Sequence, residues 1–462
     1  MTISLSRHDS TIRLTTASIV KERKIAFVVQ RCGREVNGGA EAHCLAIAQR
    51  MSAHWRTEVL TTCAMDYVTW DNCYAPGPEQ LGSTVIRRFP VAAPRITEDF
   101  NRLSEELHSR GAAATEAAEE AWMQAQGPCC PELVSYIEAN ADEYDAFIFF
   151  TYLYWHTWEA LPKVAARAIL VPLAHDEWTI YLSLFRRLFA QVGHFIFNTI
   201  EERQLLRRLS PVRRIDGPVV GVAVDRPATT DPRQFRRDYQ LNSEFLLYVG
   251  RIDKSKGCDE LFQFFIRGRE QGQLPAKLVL LGRPVMPIPN HPDIVSLGFV
   301  SESVKWDALS ACSALVMPSV NESLSMVLLE AWTVGKPVIV NGRCEVLVGQ
   351  CRRSNGGLWY SRYEEWLRVL QRLQQGRTAS VLGRQGWRFV REHYSWPAIE
   401  RAYLETVESV VAGASNLAVP HGDNSSDSRA TAVQKSGPEI VADARRAEGA
   451  QQFDGKGGYR YA

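Results

Sequence analysis

Two groups of charged side chains in the second half of the chain have the type and spacing to hold a polyanionic, hydroxyl-rich ligand. The first is Tyr248-Val-Gly-Arg251-Ile-Asp-Lys-Ser-Lys256-Gly257. An apolar run ends in glycine, and two cations follow five residues apart on the next loop and helix start. Fixed positive charge beside the backbone N–H groups of a strand-to-helix loop is what a diphosphate requires. A solvated basic loop is the plain alternative. The second is Pro318-Ser-Val-Asn-Glu322-Ser-Leu-Ser-Met-Val-Leu-Leu-Glu330-Ala. A helix is expected to begin near Leu324, with the amides of Ser325, Met326 and Val327 aimed out of its N-terminus at a phosphate. Glu322 falls in the loop and Glu330 about two turns along the helix. Carboxylates accept hydrogen bonds from paired sugar hydroxyls, so Glu322 suits a hexose and Glu330 a ribose. Glu330 lies in the apolar run Val327–Trp332, where a glutamate needs a partner.

Two weaker constellations lie earlier. Asn37-Gly38-Gly39-Ala40-Glu41 follows an apolar run, and paired glycines allow close backbone approach to a ligand, although they also make a simple turn. Pro172-Leu-Ala-His175-Asp176-Glu177 places a histidine beside acids at a strand end, where it can orient or polarise a reacting group. Two patterns are absent. Without G-x-G-x-x-G a dinucleotide oxidoreductase is disfavoured. Without D-x-D nothing suggests a carboxylate pair holding a metal on a diphosphate, so cations and a helix dipole are expected to do that work, with no metal and no cofactor.

The elements that must position these groups alternate. Lys24–Gln30 reads as a buried parallel strand. A glycine-bearing loop and a helix striped with Ala40, Cys44, Ile47 and Met51 follow it. Further strands are expected at 57–63, 84–89, 145–151, 168–173 and 194–198, with one inserted helix over 98–126. A second series runs Phe245–Val249, Lys277–Leu281, Ile294–Leu297, Ala314–Met317 and Pro337–Val340. Alternating strands and helices predict an α/β fold of parallel sheets covered on both faces. Two such series predict two facing, doubly wound, Rossmann-like domains with a cleft between their strand ends. The expected division is a flexible arm over 1–22, an N-terminal domain over 23–215 and a C-terminal domain over 216–395. A last helix over 396–412 and a disordered tail over 413–462, poor in large apolar groups, complete it.

Composition bounds the rest. At 462 residues, the chain is long enough for more than one core. The 53 Lys and Arg against 52 Asp and Glu give a net charge of +1, so no overall field draws nucleic acid. Arginines cluster at Arg203, Arg207, Arg208, Arg213 and Arg214. The plain reading is a solvated helix face, the alternative a peripheral contact with anionic headgroups. Ten cysteines lack disulfide or metal-ligand spacing and fit free thiols in a reducing compartment. The N-terminal stretch has no apolar core of the secretory kind, and the run Ala146–Leu153 is too short to span a bilayer. The expected location is the cytoplasm, with attachment at the inner face of the cytoplasmic membrane as a variant.

Together these residues resemble the family-4 retaining glycosyltransferases of the GT-B fold. The resemblance rests on Gly38-Gly39-Ala40-Glu41, His175-Asp176, Gly250-Arg251 with Lys256-Gly257, and Glu322 with Glu330 eight residues on. Gly335-Lys-Pro-Val-Ile-Val340 and His393-Tyr-Ser-Trp396 extend it, so that it spans roughly residues 23–411. It implies that Arg251 and Lys256 bind the donor diphosphate, Glu330 the ribose and Glu322 the sugar. Gly38 and Gly39 would lie near the phosphates and His175 at the reacting sugar. The C-terminal domain would hold a UDP- or GDP-linked sugar and the N-terminal domain a saccharide or lipid-linked acceptor. The sequence style resembles cell-surface polysaccharide assembly enzymes. Arg283 and Gly298-Phe299-Val300 are the segments expected to select the base. One departure stands out: where many members have Gly-Phe-Gly, this chain has Ser323-Leu324-Ser325. A sugar-nucleotide epimerase or phosphorylase of the same fold, or a non-catalytic sugar-nucleotide-binding partner of an assembly complex, are the competing readings.

Overall fold

Five successive residues in the first strand show what drives the architecture. In Lys24–Val28, every residue after the lysine is fully buried. Such a strand must be covered on both faces. The computed structural model describes residues 23–36, 38–210 and 215–417. Its first sheet contains β1 (Lys24–Val28), β2 (Arg56–Thr62), β3 (Gly77–Leu81), β4 (Thr84–Phe89), β5 (Ala146–Phe150), β6 (Ala168–Val171) and β7 (His194–Phe195). Their spatial order is β3-β4-β2-β1-β5-β6-β7, parallel except for β3. The second contains β8 (Phe245–Val249), β9 (Lys277–Leu281), β10 (Ile294–Ser296), β11 (Ala314–Met317), β12 (Val338–Asn341) and β13 (Gly357–Tyr360). Their order is β10-β9-β8-β11-β12-β13, with all pairings parallel. In both, the order reverses beside the first strand of the series, and there the strand ends leave a crevice.

The expected two-sheet α/β architecture is present, with local corrections. The helix expected over 98–126 is two, Thr97–Arg110 and Glu116–Gln126. Gly111, at φ 50°, ends the first, and the Thr115 side chain caps the second by accepting from the Ala118 amide. β3 and β13 were not expected. The helix after Glu322 begins at Met326, not near Leu324. The last helix runs over Trp396–Leu417, past the expected end at 412. It packs on β5 and β6 of the first sheet, and its Glu400 accepts from His54 Nε2 at 2.9 Å and bonds Arg50. The arm over 1–22, Asn37 and residues 418–462 of the tail lie outside the described residues.

All ten cysteines are unpaired and eight are buried, as their spacing suggested. Three of the clustered arginines lie on the partly exposed helix Ile200–Leu209 and reach neighbouring segments of the chain. Arg207 donates to Ile215 O and Asp216 Oδ1, both at 2.8 Å, Arg203 donates to Gly217 O at 3.2 Å, and Arg208 lies 3.8 Å from Glu345. These bonds tie the helix Ile200–Leu209 to the crossing between the sheets. Arg213 and Arg214 lie outside the described residues. No described helix is long and apolar enough to cross a membrane.

Candidate active site

The carboxyl ends of both sheets open onto one cleft of about 1100 Å³. The first sheet contributes the loops after β1, β2, β5 and β6, and the second those after β8, β9, β10 and β11. Of the residues singled out in the sequence, Gly38, Gly39, His175, Arg251, Lys256, Glu322, Ser325, Met326 and Val327 all line it. Glu330 does not. It is 7% exposed and sits behind the wall, where Lys305 Nζ donates to its Oε1 at 2.8 Å. Lys305 does line the cleft, so the partner that a buried glutamate required is itself a cleft residue.

Backbone constraints place the two cations. After β8, Asp253 caps a short turn by accepting from the Ser255 amide at 2.8 Å. Gly257 follows in the left-handed region at φ 74°, and a Cβ there would stand 2.4 Å from Pro318 O. Only glycine lets this loop close against the end of β11. That approach brings Lys256 Nζ to 2.8 Å from Glu322 Oε1. Burial alone would push the Glu322 carboxyl up. The charge and hydrogen bond of Lys256, the Ser319 hydroxyl and the charge of His175 outweigh it and hold the group below its usual range. Glu322 is therefore an anion at neutral pH. Arg251 forms an ion pair with Asp253, Nε lying 2.8 Å from Oδ2, and stands 4.6 Å from the Tyr67 ring centroid, a cation–π contact between the two walls.

Glu330 behaves differently. Burial dominates and pushes its carboxyl up against the opposing pull of Lys305. The ammonium of Lys305 also lies 2.8 Å from Glu302, and despite burial these two carboxylates raise its affinity for its proton.

Three non-glycine residues on the cleft wall have positive φ: Thr151 at 65°, Leu173 at 53° and Ser325 at 70°. Such backbone is costly for an L-residue and collects at functional sites. Ser325 occupies the cap position of the helix Met326–Thr333, where the resemblance expects glycine. Its substitution therefore leaves the loop path intact at the cost of a strained serine.

His175 stands just beyond Leu173, its Nδ1 3.6 Å from Glu177 Oε1. Its loop is anchored by Glu202, which sequence reasoning missed. The two Glu202 oxygens accept from the amides of Ala174 and Asn198, each at 2.7 Å. Burial pushes this carboxyl up to about 8, against the amide hydrogen bonds that favour its ionised form. The available signal was Thr199-Ile-Glu-Glu202, a helix-start pattern in which the Thr199 hydroxyl accepts from the Glu202 amide at 3.2 Å. Arg31 was also missed. It lines the cleft, donating through Nε to Glu41 Oε1 and through Nη1 to Met65 O. Gly38 has extended backbone, but a Cβ there would stand 2.0 Å from Glu41 Oε2. Gly39 faces open space. Among the described residues there is no group of three or more potential metal ligands.

A search of curated protein sequences returns no match. Solved structures do match, with coverage of nearly their whole length. Sucrose-phosphate synthase from Thermosynechococcus elongatus aligns with a TM-score of 0.62 at 17% identity, over 85% of this chain and 100% of that one. The UDP-forming α,α-trehalose-phosphate synthase from Burkholderia vietnamiensis aligns at 0.62 and 12% identity, over 85% and 98%. Anabaena HepE in complex with UDP-glucose aligns at 0.58 and 14%, over 84% and 99%. At these identities the likeness shows the fold, which is the GT-B architecture of two facing parallel-sheet domains. Residues 243–372, the segment that carries Arg251, Lys256, Glu322 and Glu330, match the family described as Glycosyl transferases group 1.

Proposed function

We propose that the protein transfers a hexose from a UDP- or GDP-linked donor to a hydroxyl of a saccharide or lipid-linked saccharide, with retention of anomeric configuration. The observation that carries this reading is the convergence of Arg251, the Lys256–Glu322 pair and the N-terminus of the helix Met326–Thr333 on one cleft, opposite His175. A match to group 1 glycosyltransferases over that same segment supports it. In this reading, breaking the anomeric C–O bond leaves its electron pair on the departing diphosphate. Arg251, Lys256 and the helix N-terminus meet that charge, and removing one such group typically costs about 10²–10³ in rate. The acceptor oxygen bonds to the anomeric carbon from the same face, and its proton passes to the departing phosphate oxygen. Ionised Glu322 receives the hexose hydroxyls. His175 steadies the cationic sugar or the incoming hydroxyl. In this reading neither Glu322, which is paired with Lys256 and receives hydroxyls, nor Glu177, which accepts from Tyr152 OH at 3.4 Å, acts as a covalent nucleophile. Phe299, 68% exposed on the cleft wall, offers a platform for the base, and Lys305 with Glu330 a seat for the ribose.

With two protein cations on the diphosphate, the reaction proposed here needs no metal. Cell-surface polysaccharide assembly in the cytoplasm is the role that the sequence style suggests. The test is to incubate the full chain with α-linked UDP- and GDP-sugars and saccharide acceptors, then assign the product anomer by NMR. An α product, formed equally with and without a chelator, is expected. A β product would sink retention, and loss with chelator that Mg²⁺ restores would sink metal independence.

A further inference from the structure

The two walls of the cleft carry opposite charge. The second-sheet wall presents Arg251, Lys256, Arg283 and Lys305 against Glu302 and Glu322. Among the described lining residues, the first-sheet wall presents Glu35, Glu41, Asp66 and Glu177 against Arg31 and the imidazoles of His43 and His175. Arg31 is already neutralised, because its guanidinium is bound to Glu41, and Glu41 also accepts from Gln30 Nε2 at 2.9 Å. Arg95, the next cation behind this wall, is held by Gln126 Oε1 at 3.1 Å and lies over the Trp70 ring. What remains facing the cleft is rich in carboxylates, with the His175 imidazole paired to one of them. Asp66 is a fixed carboxylate, accepting from the amides of Val68 and Thr69 at 2.7 and 2.8 Å. Glu177 stands beside His175.

We infer that the acceptor presents an uncharged or cationic sugar unit to this wall, a neutral saccharide or an amino sugar, and not a sugar phosphate or uronic acid. The inference rests on the transfer reading above. A phosphate or carboxylate on the acceptor would meet Asp66 and Glu177, and among the described cleft-lining residues the cation on its own side, Arg31, is already held by Glu41, while the His175 imidazole lies against Glu177. The cations opposite would be occupied by the donor's diphosphate, which itself repels a second anion. Hydroxyls and ammonium groups, by contrast, donate to carboxylates. The bond changes of the reaction are those already given, and the charge of the first wall selects among acceptors that offer the same hydroxyl.

The test is a matched acceptor panel with the full chain and its donor. It compares neutral sugars, the corresponding amino sugars, 6-phosphates and uronic acids. Neutral or amino members are expected to exceed their phosphorylated counterparts in kcat/KM by at least about tenfold. Glu177→Lys should shrink that ratio. A phosphate or uronate used as well as its neutral parent would overturn the inference. So would donor hydrolysis with transfer only to anionic members, or to none. Failure of the full chain to bind any nucleotide is a different result: it would fall on the transfer reading itself.

Discussion

The second-sheet wall of the cleft is built from charges that neutralise one another only in part, and the first-sheet wall from charges locked into its own loops. Lys256 and Glu322 meet at 2.8 Å from two different strand ends, brought together by a left-handed Gly257 pressed against Pro318. Arg31 and Glu41 also meet, but from one loop and the helix after it, and they are almost completely buried. The first pair can exchange its partner for a ligand, because Lys256 is one-third exposed. The second holds a loop in place. The difference teaches that the sign of a cleft wall depends on which pairs can be opened, not on a tally of charged residues.

The largest expected effect follows from opening the wrong pair. Lys256→Ala removes a diphosphate cation and leaves Glu322 buried without its counter-charge, so transfer should fall by about 10²–10³ in kcat/KM. Glu177→Gln, on the opposite wall, should leave nucleotide affinity within about twofold, since it touches no donor group in this account. Equal losses of nucleotide affinity in both variants would break the distinction between the walls. Lys305→Met should weaken donor binding by about tenfold, because Glu330 then lies buried and unpaired and takes up a proton. An unchanged donor KM would remove Lys305 from the ribose seat.

Smaller effects sharpen the comparison through stability. Ser325 has φ 70°, which costs a non-glycine residue about 1 kcal/mol. Ser325→Gly should therefore raise Tm by a few degrees, roughly what 1 kcal/mol gives. A fall would mean that the buried Ser325 hydroxyl contributes something the strain does not offset. Behind the first wall, His156 is fully buried and neither ring nitrogen has a partner among the described residues. Burial holds its ring neutral down to about 3. Unfolded His156 takes up a proton near 6.5, so stability is present above that pH and is lost as pH falls toward 3. Between pH 6.5 and 4.5 the wild type should lose about 2–3 kcal/mol that a His156→Phe variant keeps. Parallel urea-melt profiles for the two proteins would contradict this.

Much of the fold was legible because parallel strands buried on both faces read as apolar runs. Phe245–Val249, Lys277–Leu281 and Ala314–Met317 fall where the sequence placed them. β3 was not legible: Gly-Pro-Glu-Gln-Leu is a polar antiparallel edge whose only ladder partner among the described residues is β4. β13 hides for a related reason, since only two of its four residues are buried. In the site, Arg251, Lys256 and Glu322 could be read because each sits at a strand end in a local pattern. Lys305 could not, since it lies on an ordinary helix 25 residues before Glu330 and only packing joins them. The apolar run around Glu330 marked it as a buried glutamate in need of a partner, but not that it would stand behind the cleft wall, because period and spacing set which face of a helix is buried, not how deep its neighbours stand.

The most direct test of the central claim is a thermal-shift titration of UDP, GDP and ADP, and their glucose conjugates, against the wild type and Lys256→Ala. A ligand at about 100 times its Kd stabilises by about 2.7 kcal/mol. One nucleotide series should raise the wild-type Tm in a concentration-dependent way and shift the variant far less. No response to any nucleotide, or an equal response in both proteins, would contradict the donor site assigned to Arg251, Lys256 and Glu322.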